Sequence, residues 1–322
     1  MSTTLRLLLA AFLAASFCEV ADAAPVKRRN APAKKTVARS SGGPVQSRFR
    51  KSPYVGAISI DADTGRVYFS DHADTPAYPA SVTKLMTAFI VLDDIKAGRL
   101  SLDDRVVASP VRTNRDVHLR QPSALGLKAG QSMTIEEMLK AIMVKSANDA
   151  AIFLAERCSG SMEKFVSRMN EKARSLGMTS TKFYNPNGLP PYKRSETDDF
   201  NISTCRDIAI MARALIKSHP EILKYTSLKE CHLEIPGQGR IKFSNHNHVM
   251  VEAELKIVNP DGTEAVDGLK TGYINAGGYS LALTGKRNGK RVIVVVLGSS
   301  TASERDNVAR ARLDDLLMAL DF

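Results

Sequence analysis

Val292-Ile293-Val294-Val295-Val296-Leu297 is an unbroken apolar run of six residues, five of them β-branched. Crossing a bilayer takes about 20 such residues. A run this short and this branched reads as a strand covered on both faces. Residues 279–285 form a second strand before it, across the turn Lys286-Arg287-Asn288-Gly289. At the other end of the globular region, Val55-Gly56-Ala57-Ile58-Ser59-Ile60 and Arg66-Val67-Tyr68-Phe69-Ser70 are also strand-like. The turn signal Asp61-Ala62-Asp63-Thr64-Gly65 joins them. Between these ends, apolar residues recur at three- and four-residue steps over about 81–97, 134–143, 148–157, 161–176 and 204–217, and again over 302–320. Thr134 with Glu137, Ser161, and Ser203 or Thr204 with Asp207 are N-cap candidates. Strands at both ends with helices between them predict one sheet closed by the two chain ends, and a second lobe made of the central helices.

The chain has 322 residues, 43% hydrophobic and 25% charged, with a formal net charge of +11. This is globular composition. The charge is unevenly placed. Arg6 precedes the apolar run Leu7-Leu8-Leu9-Ala10-Ala11-Phe12-Leu13-Ala14-Ala15-Ser16-Phe17, and Ala21-Asp22-Ala23 offers a cleavage site. Residues 1–23 therefore read as an export signal. Residues 24–51 hold nine Lys and Arg, no acid, and the breakers Pro25, Pro32, Pro44 and Ser40-Ser41-Gly42-Gly43. They read as a basic disordered linker, either a plain spacer or an attraction to anionic wall polymer or lipid. From residue 52 onward, 35 basic residues face 32 acidic ones. That near-neutral domain, 6% aromatic and free of Trp, excludes nucleic acid as a partner. Cys158, Cys205 and Cys231 remain beyond the leader. Their odd number rules out a disulfide framework and reads as buried thiols.

Three short motifs carry chemistry. Pro79-Ala80-Ser81-Val82-Thr83-Lys84-Leu85-Met86-Thr87 sets Ser81 and Lys84 three apart on one face of a helix start. A serine hydroxyl needs a base, and a lysine supplies one when burial and nearby cations lower its pKa. Ser161-Met162-Glu163-Lys164 has the same spacing, but there Ser161 reads as a helix cap. Lys145-Ser146-Ala147-Asn148-Asp149-Ala150 joins two helices. Ser146 either relays a proton into a cleft or caps the following helix, and Asn148 can orient Lys84 and a substrate backbone. Val266-Asp267-Gly268-Leu269-Lys270-Thr271-Gly272-Tyr273 is strand-like. Lys270 and Thr271 suit an anionic substrate end, Gly272 permits a close backbone approach, and the Tyr273 amide can complete an oxyanion hole with that of Ser81.

Taken in this order, the three motifs resemble the low-molecular-mass penicillin-binding proteins, the D-alanyl-D-alanine carboxypeptidase family of serine peptidases. The resemblance covers about 52–300. It includes Leu176-Gly177-Met178-x-x-Thr181-x-Phe183-x-Asn185-Pro186-x-Gly188-Leu189. It implies an α/β (α+β) fold of the β-lactamase-like kind, with an antiparallel sheet flanked by helices and a helical lobe, within one domain over 52–322. It implies Ser81 as nucleophile, Lys84 as base, Ser146 and Asn148 as auxiliary catalytic residues, and Lys270 and Thr271 on the substrate carboxylate, with Gly272 and Tyr273 beside them. It also implies peptidoglycan peptides ending in D-Ala-D-Ala as substrates, β-lactams as inhibitors, no cofactor and no metal.

Only 50 residues follow Gly272. The expectation is therefore a short, soluble, periplasmic form without the family's further β-rich domain or anchoring helix, with Leu313, Leu316, Leu317 and Leu320 facing a core. Carboxypeptidase is the main reading and DD-endopeptidase the alternative. A class A-like β-lactamase would need a water-activating carboxylate, for which the context of Glu196 is unconvincing. An inactive wall-binding module disagrees with the full motif set. Asn245-His246-Asn247-His248 reads as a surface loop, since two histidines lack a third placed ligand. His232 and Tyr192 have no assigned role.

Overall fold

The run 292–297 lies at the centre of the protein. In a computed structural model, which describes residues 53–110, 123–190 and 199–319, it belongs to β9 (Lys290–Ser299). The leader, the basic linker, Cys18, Tyr192, Glu196 and Leu320 of the sequence reading lie outside the described residues. β9 pairs antiparallel with β1 (Gly56–Asp61) on one side and with β8 (Gly278–Arg287) on the other. With β2 (Val67–Asp71) and β7 (Val266–Ile274), the sheet order is β2-β1-β9-β8-β7. The two chain ends do close one sheet, as predicted.

All six residues of the run are fully buried, and alternate ones face different cores. Ile293, Val295 and Leu297 pack into the core that holds Leu85, Phe89 and Ile208. Val292, Val294 and Val296 pack with Ala309, Leu313 and Leu317 of α8 (Ala302–Ala319). A strand covered on both faces shows no polar alternation, which is why the run is continuous. Leu316 packs partly on the same core, so the leucine stripe faces inward as expected where it is described. Leu313 also lies against Gly285, where a Cβ would come within 3.0 Å of its Cδ2. Leu313→Ala is expected to cost about 2–5 kcal/mol, read as a lower urea midpoint at unchanged slope.

The second lobe is helical. It is built from α1 (Lys84–Lys96), α2 (Ile135–Lys140), α3 (Asn148–Ser159) and α4 (Met162–Ser175). α5 (Cys205–Ser218) lies against β1 and β9. Thr134 and Glu137 form the full capping box of α2. Ser161 caps α4 by accepting from the Lys164 amide, and Thr204 caps α5. The Asp61 turn also forms as read, with Asp61 Oδ1 accepting from the amides of Asp63 and Thr64.

Ser146 differs from its capping alternative. A wide π-type turn at Ala141–Lys145 extends α2, and Ser146 ends it in the left-handed region at φ +62°. α3 starts after Ala147 with no side-chain cap. A hairpin of β5 (Glu230–Ile235) and β6 (Gly239–Ser244), a short pair of β3 (Arg105–Val107) with β4 (Ser132–Thr134), and the helical turns α6 (Leu223–Thr226) and α7 (His248–Val251) complete the described elements. Cys158, Cys205 and Cys231 are free thiols. Among the described residues, no helix is long and apolar enough to cross a membrane.

Candidate active site

Three segments meet between the sheet and the helical lobe. A single 3-10 turn, Ala80–Thr83, delivers Ser81 and runs directly into α1. Three residues on, Lys84 turns its side chain into the interior and is fully buried. Its Nζ lies 2.8 Å from Ser81 Oγ, 2.8 Å from Asn148 Oδ1 and 2.8 Å from the Asn187 carbonyl oxygen. Two of these three partners are amide oxygens, which only accept. A neutral amine has two N–H groups for them, and its lone pair is left facing the Ser81 hydroxyl, which can donate. Burial, and then the charge of Lys270, hold Lys84 well below its ordinary pKa; Asp149 works in the opposite direction.

The Asn187 carbonyl was not singled out from sequence. The segment 184–189 brings it in. Asn201 accepts from the Tyr184 amide and donates to Thr83 Oγ1, while Thr87 Oγ1 donates to the Pro186 carbonyl. Gly188 has φ +82°, and a Cβ there would overlap the Ala80 carbonyl oxygen. This explains the Asn185-Pro186-x-Gly188 pattern: it is a backbone clamp on the turn that carries Ser81.

β7 forms the opposite wall. At Gly272 a Cβ would fall 2.6 Å from the Pro79 carbonyl oxygen and 3.0 Å from the Ser81 amide nitrogen. The strand therefore touches the turn backbone to backbone. Lys270, 2% exposed, donates to the Thr271 carbonyl oxygen at 3.0 Å. Burial, and then Arg305, bring its pKa down to about 7. Ser81, Ser146, Thr271, Gly272 and Tyr273 line one cleft of about 290 Å³. Tyr273 is 48% exposed at its edge, its ring 4.3 Å from that of Tyr279 and its hydroxyl donating to Asn275. The sequence-predicted residues thus converge: seven of the eight line the cleft or make up the hold on Lys84, and Lys270 is buried next to Thr271 on β7.

Six further residues line the same cleft: Ser123, His246, His248, Tyr279, Ala302 and Arg305. Arg305 is buried and held by both oxygens of Asp306, at 2.8 and 2.9 Å. His248 Nδ1 lies 3.1 Å from Asp306 Oδ2. Partial burial, with Lys270, Lys145, His248 and Arg305 nearby, pushes His246 down to about 4. The loop reading of 245–248 thus holds for His246, but that loop forms part of the cleft wall. Among the described residues, no group of three His, Cys, Asp or Glu side chains is placed to hold a metal ion.

A cleft serine paired with a buried lysine that an asparagine clamps, facing a Lys-Thr-Gly strand, is a specific arrangement. The family model described as D-alanyl-D-alanine carboxypeptidase matches residues 54–301. The chain belongs to that family. It is 35% identical over 258 residues to the D-alanyl-D-alanine carboxypeptidase DacF of Bacillus subtilis, covering 80% of this chain and 60% of that protein. It is 30% identical to the D-alanyl-D-alanine endopeptidase of Escherichia coli, covering 75% of this chain and 70% of that one. Penicillin-binding protein D2 of Listeria monocytogenes, solved in a cefotaxime-bound form, superposes with a TM-score of 0.65 at 30% identity, over 83% of this chain and 96% of that one. The chain spans about three fifths of the length of the first carboxypeptidases it matches. The family's β-lactamase-like fold, expected from the motifs, is the fold described above.

Proposed function

We propose that the chain is a serine-type D-alanyl-D-alanine carboxypeptidase acting on peptidoglycan peptides, and that it is acylated by β-lactams. The observation that carries this reading is the three-way hold on Lys84. Ser81 Oγ attacks the carbonyl carbon between the two D-Ala residues while its proton passes to Lys84 Nζ. The oxyanion forms against the amides of Ser81 and Tyr273. Ser146 passes a proton to the leaving nitrogen and takes the one held by Lys84 in its place, so that the amide bond breaks, D-Ala departs and Lys84 is again neutral. Water then attacks the Ser81 ester, and the acid and the free hydroxyl are restored. Thr271, Lys270 and Arg305 give the leaving residue's carboxylate a cationic end to the cleft. A β-lactam ring presents a similar amide, but its leaving nitrogen stays tethered after attack.

Likeness to the Escherichia coli endopeptidase over 70% of that protein favours a second reading, cleavage of peptide cross-links. Both reactions break a bond after a D-Ala carbonyl. Mass analysis of wall fragments distinguishes them: loss of D-Ala marks a carboxypeptidase, and conversion of dimers to monomers marks an endopeptidase. Neither change, or unaltered activity in Ser81→Ala, overturns the proposal. The leader pattern at 1–23 supports export to the periplasm, and the basic residues of 24–51 support contact with anionic wall polymer or lipid.

The two lysines predict opposite pH limbs. Lys84 works as a neutral base, so acylation falls as pH drops through its lowered pKa. Lys270 works as a cation, so KM rises as pH climbs through about 7. Arg305 keeps its charge and makes that rise partial. Lys270→Arg is expected to flatten the alkaline rise in KM and leave the acid limb of kcat in place.

A further inference from the structure

Asp149 follows Asn148 directly and is 1% exposed, yet the reaction described above does not use its side chain. Its carboxylate accepts four hydrogen bonds from three backbone amides. The Leu125 amide donates to both oxygens at 2.9 Å, the Gly126 amide to Oδ2 at 2.9 Å, and the Ala150 amide to Oδ1 at 2.9 Å. Every one of these partners is an N–H donor, so the hydrogen-bond geometry favours the ionised form, against burial, which raises the carboxyl pKa above its ordinary value. The first turn of α3 adds its own preference for negative charge. Among the described residues Asp149 has no ion-pair partner, and it acts on the charge of Lys84, against whose depression it works.

The segment it grips is a wall of the cleft. Ser123 faces the cleft beside Ser81 and Ser146. Leu125 and Leu127, just behind it, are in the main core. From the far side, Gln238 Nε2 at the β5–β6 turn donates to the Leu125 carbonyl at 3.1 Å. Gln131 ties the same turn in through the Pro236 carbonyl. The rim 123–127 is therefore suspended between α3 and the hairpin, and its α3 anchor is a charged side chain one residue from the amide that holds Lys84.

We propose that Asp149 is a positioning residue for acylation: it fastens the 123–127 rim to the start of α3, where Asn148 holds Lys84. Rim, Asn148 and base are thereby set as one unit. The same negative charge counters Lys270 across Lys84. The ionisable groups acting on Lys84 are Lys270 from β7 and Asp149 from α3, with Arg305 of α8 acting at one remove through Lys270, and His246 of the cleft wall itself lowered by Lys270. Removing the Asp149 charge leaves Lys270 uncountered, so Lys84 loses its proton more readily and becomes a weaker base.

The inference rests on Ser81 being acylated. Fluorescent-penicillin labelling rates are measured from about pH 5 to 9, with melting temperature alongside, for the full wild-type chain, Asp149→Asn and Gln238→Ala. Asp149→Asn is expected to label about tenfold more slowly at its optimum, with the acid limb moved down by about half a pH unit or more. Gln238→Ala cuts the other tether and leaves the charge, so its acid limb stays with the wild type. An acid limb that does not move in Asp149→Asn overturns the inference, even where rate or melting temperature falls. If Asp149→Asn does not fold, Asp149→Glu keeps the charge on a longer arm and should label slowly with the wild-type limb; labelling at the wild-type rate overturns the positioning role. An unlabelled wild-type chain overturns the serine-peptidase reading and this inference with it, whereas a labelled wild type matched by Asp149→Asn overturns this inference alone.

Discussion

Lys84→Arg is expected to lower penicillin acylation and D-Ala release by about three orders of magnitude or more, while the protein stays folded. Arginine keeps the positive charge and can still donate to Asn148 and the Asn187 carbonyl, the two partners besides Ser81. What it cannot do at any accessible pH is give up its proton and take one from Ser81. The native site does the reverse: it buries a lysine completely and places a second lysine near it. If Lys84 served only as a positive charge for the substrate, arginine would retain much of the rate. Rate recovery in Lys84→Arg therefore excludes the general-base role. Lys84→Met removes charge, donors and base together, and should be as inactive while fitting the buried channel more easily.

Gly272→Ala is expected to cost about a hundredfold in acylation through a single added methyl group. The new Cβ would stand 2.6 Å from the Pro79 carbonyl oxygen, 3.0 Å from the Ser81 amide nitrogen and 3.1 Å from that of Val82. All three neighbours are backbone, so no side chain can swing away, and β7 and the Ser81 turn must part. That separation moves the nucleophile and one oxyanion donor together, away from Lys84 and the Tyr273 amide. Displacements of about 1 Å at a reacting atom cost this much. Gly289→Ala, strained by its φ of +81° but with nothing within 4 Å of the new Cβ, is a control for the loss of a glycine outside the cleft. A Gly272→Ala protein acylated at the wild-type rate would show that the strand and turn have slack that the geometry does not suggest.

The fold and half of the site were legible for the same reason: their determinants are local. Ser81 and Lys84 meet because three residues is almost one helical turn, and Thr134 caps α2 through a hydroxyl and a carboxylate three positions apart. Ser146 shows the limit. Its hydroxyl favours a cap in general, but the π-type turn before it puts it in a left-handed conformation that a side-chain preference does not encode. Asn187 was invisible because it serves through a carbonyl that every residue carries. Arg305 and His246 reach the cleft only after the sheet has closed and α8 has packed, so no spacing announces them. The β5–β6 hairpin did have a signal, with Cys231, Leu233 and Ile235 buried alternately before a Pro-Gly turn. Charged residues between them break the apolar continuity that marks the other strands.

The pairing of β1 with β9 sets Ile58 opposite Val295, more than two hundred residues away in sequence. Contacts of such separation are slow to form, because a long loop must close before they return any stabilisation. During synthesis β1 has no β9 to lie beside until residue 299 has been made. Its inner edge therefore stays open for most of translation, with only β2 available as a partner. The native sheet is thus a late, whole-chain event. A chain with this topology remains threadable, and open to capture by a chaperone, for almost its entire length.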